Sequence, residues 1–547
     1  MSGIAGIVGR VEGLEYLLAA MMRSQGHRGE CSDRGFWVSD FVEVRLGMAH
    51  CGARTSEVEE QVRQPYVDER TGLVVALEGD IYNYRALREK LKNYYTFATD
   101  SSVEVISKAY HFWGESFLHR LDGTFIIVIY DRRDEILFVA RDRMGVKPLY
   151  YATHRGDLYF ASEVRSLFAA GIGRQLSLER WVGYMLYTSY GPEGSTFWEN
   201  VAQLPAGCCM IYNGYSIAEK RWYNLHDEVL DMVTQYSVEE MREMLPADWE
   251  CVIEKSLADV AVCGVRVAGR IESQLLHKIA MQGVHKWKLH PFTGDIEKIG
   301  RQPIATPVWV TPHLAVSELE RMGQWVEEPF DGCESVLRTI MFRQAHHDGV
   351  RVVCSGMGLD VLWQELWDGD EHRHDYLTAH PILARELSSF AVPPRYDHPF
   401  PEEADNMRYL ELFYERIPHI LRVFDRSASD TGVSVRIPFL DHELVALSFA
   451  LPIASGQSRR KLFHDTIRRQ YHCEIERDEL LWVWPHWMQG GAKEWVGDTL
   501  HDLRCGAVRH YFEHRALDKL RDDFDHRRVF DIHLLWKCIS LHRQLSQ

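Results

Sequence analysis

The chain of 547 residues has no uninterrupted apolar run near the roughly 20 residues that a membrane-spanning helix needs. Its first residues also lack the order of a secretory leader, which runs from basic to apolar to small residues. Positive charge is in deficit: 62 Lys and Arg stand against 79 Asp and Glu, for a formal net charge of −17. Nucleic-acid binding needs clustered Lys and Arg against phosphate, so this balance argues against a general nucleic-acid binder. None of the eleven cysteines forms a CxxC pair, and Cys208 and Cys209 are adjacent, which suits neither a simple disulfide nor a zinc knuckle. Reduced thiols and a cytoplasmic protein with no membrane partner are the expectation. Internal repeats and low-complexity segments are absent as well.

What is present is an ordinary globular composition, 46% hydrophobic and 26% charged, in a chain too long for one core. The first half is rich in short β-branched runs, among them "VRLGMAH", "TGLVVALEGD" and "GTFIIVIYDRRDEILFVARD". Between them "ALREKLKN" and "SVEVISKAYHFWG" have helical periodicity. Sheets alternating with paired helices fit an α+β sandwich that closes near residues 200–225. In the second half "DVAVCGVRVAG" followed by "IESQLLHKIAMQG", and "GVRVVCSGMGLDVLWQELW", repeat one plan of apolar strand, glycine loop and helix. Two such units predict a parallel α/β sheet with a site at its strand ends. From about residue 405 the pattern is mostly helical.

Collinear stretches carry a resemblance over nearly the whole chain. In the first half they are "SGIAGIVG", "LEGDIYNYRALREKL", "LDGTFIIVIYDRRDEILFVARDRMGVKPLYY", "FASEVRSL" and "QLPAG". In the second they are "VRVAGRIESQLL", "VVCSGMGLDVLW" and "VRIPFLDHELVALSFALP". The first half resembles a class II glutamine amidotransferase domain, and the whole chain resembles the asparagine synthetase family. In layout it is similar to the β-lactam synthetases and lasso-peptide cyclases. The resemblance implies an α+β four-layer sandwich of the N-terminal-nucleophile type over residues 1–215. It implies an α/β parallel-sheet synthetase domain with a pyrophosphate loop and a helical C-terminal region over 225–547. In such proteins the first domain releases ammonia from glutamine, and the second adenylates a carboxylate with ATP and Mg²⁺ before an amine attacks. Many relatives are oligomeric, which makes a homodimer the expected assembly.

Matched residue by residue, both sites depart from the family pattern. The glutaminase thiol position holds Ser2, a weaker nucleophile near neutral pH. In "MAHCGA" Gly52 stands at the glutamine-binding arginine, with Arg54 out of register. In "EGDIYN" Glu78 replaces the asparagine of the oxyanion site while Gly79 remains, and a carboxylate repels a developing oxyanion. The aspartate that holds the glutamine amine aligns with Ser102, with Asp100 nearby. These residues together describe a vestigial glutaminase site.

In the pyrophosphate loop "AGRIESQ", residues 268–274, Gly269 and Ser273 match the family. Arg270 puts a long side chain where glycine admits phosphate, and Glu272 replaces a metal-binding aspartate. Asp360 in "CSGMGLD" retains the second metal carboxylate, so Glu272 and Asp360 are the candidate Mg²⁺ ligands; solvated loop carboxylates are the alternative. Met357 occupies the variable position where relatives carry an acid or a tyrosine, and it can neither accept a proton nor stabilise charge. Lys461 in "RRKLFHDTIRRQY" aligns with a pyrophosphate lysine, flanked by Arg459 and Arg460. Leu481 in "RDELLWVWPHW" stands nearest the lysine that stabilises the amide-forming transition state. The loop "EHRHD" (371–375) and the pair His346 and His347 read as exposed polar segments rather than metal sites.

Two functions stay open on the sequence. One is a repurposed enzyme forming or transferring an amide on a specialised metabolite, of small-molecule, peptide or polyketide type, without ammonia from glutamine. The other is a catalytically inactive protein that binds a ligand or partner.

Overall fold

A computed structural model describes residues 2–29, 35–41, 44–52, 62–258, 260, 262–266, 271–282, 288–295, 306–330, 332–363, 382–390, 392–471, 488–506, 508–526 and 532–545. Two six-stranded antiparallel sheets make the first body. From edge to edge, one runs Ala202–Gln203, Tyr150–His154, Asp157–Ala161, Ser2–Gly9, Val44–Gly52, Gly35–Phe41. The other runs Ile217–Arg221, Cys208–Tyr212, Ile136–Arg141, Gly123–Asp131, Leu73–Ile81, Tyr66–Asp68. The second sheet thus takes in residues beyond 215 before the helix Leu225–Gln235 opens the remainder of the chain.

The period of two along a strand sorts side chains between layers. Ile4 and Val8 join Val74, Ile126 and Val139 in a dry layer between the two sheets. Ala5 and Ile7 point the other way, onto Leu14, Leu18 and Met21 of the helix Leu14–Ser24. Gly6 lies under Phe160, whose ring atom would sit 1.9 Å from an added Cβ, so only glycine lets the layers close there. Beyond the second sheet, the helices Tyr84–Leu91 and Ser102–Trp113 cover its outer face through Leu87, Leu91, Val105 and Ile106. The result is four layers, helix on sheet on sheet on helix. Cys208 and Cys209 fall on opposite faces of their strand, one between the sheets and one beneath the outer helices. Both are free thiols, as are Cys51, Cys251, Cys263, Cys354, Cys505 and Cys538.

The second body is built on a five-stranded parallel sheet in the order Thr306–Trp309, Lys288–Asp295, Val262–Arg266, Val352–Cys354, Ser434–Arg436. The two strand–loop–helix units of the sequence lie side by side at its centre, Val265 opposite Cys354. Helices dominate from Glu403 onward. The helix His442–Ser455 is apolar on every side and buried from Leu444 to Pro452, as a core helix should be; Asp441 caps it by accepting from the amides of Glu443 and Leu444. Among the described residues no helix is long and apolar enough to cross a membrane.

Trp249, fully buried on the helix Val238–Ser256, ties this body together. Its ring meets Trp363, Phe463 and Tyr471, at centroid distances of 6.4, 5.7 and 5.9 Å. Removing a core aromatic loses its transfer energy and leaves a cavity. Trp249→Ala is expected to cost about 3–5 kcal/mol in urea unfolding.

Candidate functional site

The strand register brings the first set of sequence-identified residues together. Ser2 pairs directly with Gly52. Glu78 lies on the facing sheet, and its side chain accepts a hydrogen bond from Ser162, whose hydroxyl also accepts from the Ile4 amide at 2.8 Å. Gly79 follows with φ of +98°, and an added Cβ there would lie 2.0 Å from the Thr124 carbonyl oxygen. A side chain is therefore barred at that turn of the strand. Asp100 and Ser102 do not join the group as ligands would. The Asp100 carboxylate is at the surface, 2.9 Å from Arg88, and Ser102 is buried in the first turn of its helix. Arg54 lies outside the described residues.

Arg28, which no sequence motif singled out, lies between Ser2 and Glu78. It sits on the turn Gly26–Arg28 after the first helix and is fully buried. Its Nη1 donates to the Ser2 carbonyl at 3.1 Å and to Glu78 at 2.8 Å. Its Nε donates to Glu163 and its Nη2 to Asp425 of the second body. The network continues outward. Lys147 reaches Asp425 at 3.1 Å, and His27 reaches Glu163 at 2.8 Å. Arg426 reaches Glu163 at 2.9 Å and Glu327 at 3.1 Å. A substrate carbonyl directed at Glu78 would have to displace Arg28.

Four cations face four carboxylates: Arg28, Lys147, Arg426 and Arg165, which lies 3.6 Å from Glu327, stand against Glu78, Glu163, Asp425 and Glu327. Burial pushes Glu78 up to about 7, outweighing the pull of Arg28. Burial also works against Glu163, but Arg426, His27 and Arg28 hold it well below the ordinary range. Asp425 is likewise held low, by Arg28 and Lys147 against its burial.

The second set surrounds the ends of the central parallel strands. Gly356 meets the first turn of the helix Ile271–Gln282: an added Cβ there would lie 2.8 Å from the Glu272 carbonyl oxygen, so glycine permits the contact. Glu272 and Ser273 are buried in the first turn of their helix. Met357 is half-buried and packs on the main core. Asp360 is held by Arg416, whose Nη1 donates to its carboxylate at 2.7 Å while Nε donates to Glu411 at 2.8 Å. Burial works against the Arg416 charge, but Asp360 and Glu411 raise it further above its ordinary value. Mg²⁺ takes carboxylate oxygens in a demanding octahedral shell. A carboxylate already held by a guanidinium does not offer that ligand, so Asp360 does not fit the expected metal role. Among the described residues no three His, Cys, Asp or Glu side chains form a metal-binding group.

Lys461 is exposed near the start of the helix Arg459–Gln470. Its neighbour Arg459 turns inward to Asp405 and to the Ser448 carbonyl at 3.1 Å. His346 contacts the Gly432 carbonyl at 3.3 Å, and the exposed His347 contacts Asp348. Gly269, Arg270, Leu481 and the 371–375 loop lie outside the described residues.

Comparison with known proteins follows the same two bodies. A glutamine amidotransferase domain profile matches residues 1–223, and an asparagine synthase profile matches 299–545. The glutamine-hydrolysing asparagine synthetase 1 of Bacillus subtilis is 30% identical over 97% of this chain and 94% of its own length. The glutamine-hydrolysing asparagine synthetase 3 of Arabidopsis thaliana is 28% identical over 71% of this chain and 61% of its own. Amidase chry2 of Gibberella zeae is 25% identical over 61% of this chain, a match spanning about half of that protein, 53%.

Removing Arg28 takes from Glu78 its ion-pair partner and from Glu163 and Asp425 one partner each, and losing one partner of a buried ion pair costs about 3–5 kcal/mol. Arg28→Met is expected to lose that much in urea unfolding at neutral pH. Glu78 sets a pH dependence of opposite sign to its neighbours. Its folded value lies above the ordinary 4.5, so its contribution is full below 4.5 and is lost as pH rises through about 7. Glu163 and Asp425 are held low, and their contribution is present above their ordinary values and lost as pH falls. Glu78→Gln should therefore gain stability relative to the wild type between pH 5 and pH 8. A difference that is constant over that interval would mean that Glu78 does not titrate within it.

Proposed function

Because the chain belongs to the asparagine synthetase family, we propose that it forms or transfers an amide bond on a specialised metabolite without drawing ammonia from glutamine. The observation that carries the glutamine-independent part is Arg28, whose Nη1 bridges the Ser2 carbonyl and Glu78 where a glutaminase would hold its substrate. Without that ammonia the nitrogen must come from an amine on the substrate itself. An amide then forms from a carboxyl and an amine with loss of the elements of water. Support for amide chemistry in the second body comes from family membership and from Gly356 meeting Glu272 beside the strand ends. The substrate class is a small molecule or a peptide- or polyketide-type acid bearing its own amine. ATP is the co-substrate that the family resemblance implies for activating the carboxyl.

A second reading, an inactive protein that binds a ligand or partner, is favoured by two features of the same region. Met357 offers no proton acceptor there, and Asp360 is occupied by Arg416.

Two measurements test the proposal. The purified protein should release no glutamate from glutamine, and Ser2→Cys should release none either, because Arg28 and Glu78 are unchanged. Measurable release from that single variant would overturn the glutamine-independent part. Mass spectrometry of a metabolite extract incubated with the protein and ATP should reveal a species equal to two extract components less water, or one component cyclised with loss of water. It should be absent when the protein is omitted; finding none in extracts of the source organism would favour the second reading.

A further inference from the structure

We propose that Arg416 is the resident cation of the second-body cleft, standing at Asp360 in place of a divalent ion, so that the site operates with no metal on that carboxylate. Asp360 lies in the short helix Leu359–Trp363, directly after the glycine loop at the end of a central parallel strand. Arg416 comes from the start of the helix Arg416–Thr431 and spans two carboxylates, Asp360 at 2.7 Å and Glu411 at 2.8 Å. The three side chains are only partly exposed, at 36% for Arg416, 19% for Asp360 and 23% for Glu411.

A guanidinium and a divalent ion compete for the same oxygens, and they repel each other where the local dielectric is low. Unlike Mg²⁺, the guanidinium is tied covalently to the chain and so is always present, and its planar fork holds two carboxylates from separate helices at once. The trio Asp360, Arg416 and Glu411 carries a net charge of −1, so it does not by itself attract a polyphosphate. Glu272, the other expected ligand, is buried, and it meets Gly356 through its backbone carbonyl and Cβ. The inference takes the second body as the inherited synthetase site. It concerns what occupies Asp360 and not which bond is made there.

Mn²⁺ titration followed by electron paramagnetic resonance tests this directly, since Mn²⁺ prefers the same oxygen ligands as Mg²⁺. The full-length wild type should show no saturable Mn²⁺ site that Asp360→Asn removes. Arg416→Gln should gain a one-to-one site at least about tenfold tighter than any wild-type binding, and adding Asp360→Asn should abolish it. Arg416→Lys, which keeps the charge, should behave as wild type. A wild-type Mn²⁺ site that Asp360→Asn removes would overturn the inference, as would a folded Arg416→Gln variant that binds no tighter. If Arg416→Gln does not fold, as judged by circular dichroism, the comparison of wild type with Asp360→Asn decides alone. Metal occupancy is read here without any amide assay, so failure of this inference is distinct from failure of the proposed reaction.

Discussion

One buried guanidinium joins both sheets of the first body to the second body. Arg28 has four acceptors, three of them carboxylates, and they come from three parts of the fold: the first strand and Glu163 of the first sheet layer, Glu78 of the facing sheet, and Asp425 of the second body. No one of these contacts is worth much net of desolvation. Their joint geometry is restrictive, because a shift that breaks one leaves a charge buried without compensation. An apolar filler could close the same space with comparable or greater stability, but it would tolerate sliding. The ion set ties the first strand, the facing sheet and the second body to one relative arrangement.

The helix Arg416–Thr431 carries the same logic to the other cleft. Asp425 and Arg426 meet the Arg28 network, and Arg422 pairs with Glu328 at 2.8 Å. His419 stacks on Tyr190 of the first body at 4.0 Å, and Arg416 holds Asp360. Residues 416 and 425 are about 13–14 Å apart along a helix rising 1.5 Å per residue. One rigid element thus bears both the anchor of the first site and the cation of the second.

Much of this fold was legible in the sequence. Short β-branched runs such as "VRLGMAH" and "TGLVVALEGD" predicted strands, and the repeated plan of strand, glycine loop and helix predicted a parallel sheet. These signals are local, carried by residues within a few positions of one another. The side-chain partnerships were not legible, because they join distant positions. Arg28 reaches Glu78 across 50 residues and Asp425 across 397, while Asp360 and Arg416 are 56 apart. One clue was available. A glutamate at the end of the apolar run "TGLVVALEGD" in a buried strand demands a buried cation nearby. Read as an obstacle to an oxyanion, Glu78 explained a loss; read as half of a pair, it would have pointed to Arg28.

The two altered clefts follow a common physical course. A catalytic site is an arrangement of polar groups left partly unsatisfied so that a substrate can complete it. Where no substrate is bound those groups are a cost, since buried polar atoms without partners destabilise the fold. In the first body the cost is met from within the chain: Arg28 supplies Glu78 with the donor that a ligand would otherwise bring. In the second body Arg416 does the same for Asp360, but Glu272 and Gly356 still meet at the strand ends. In the first cleft Arg28 stands between the Ser2 carbonyl and Glu78, and in the second Asp360 pairs with Arg416 while Gly356 meets Glu272 beside the strand ends.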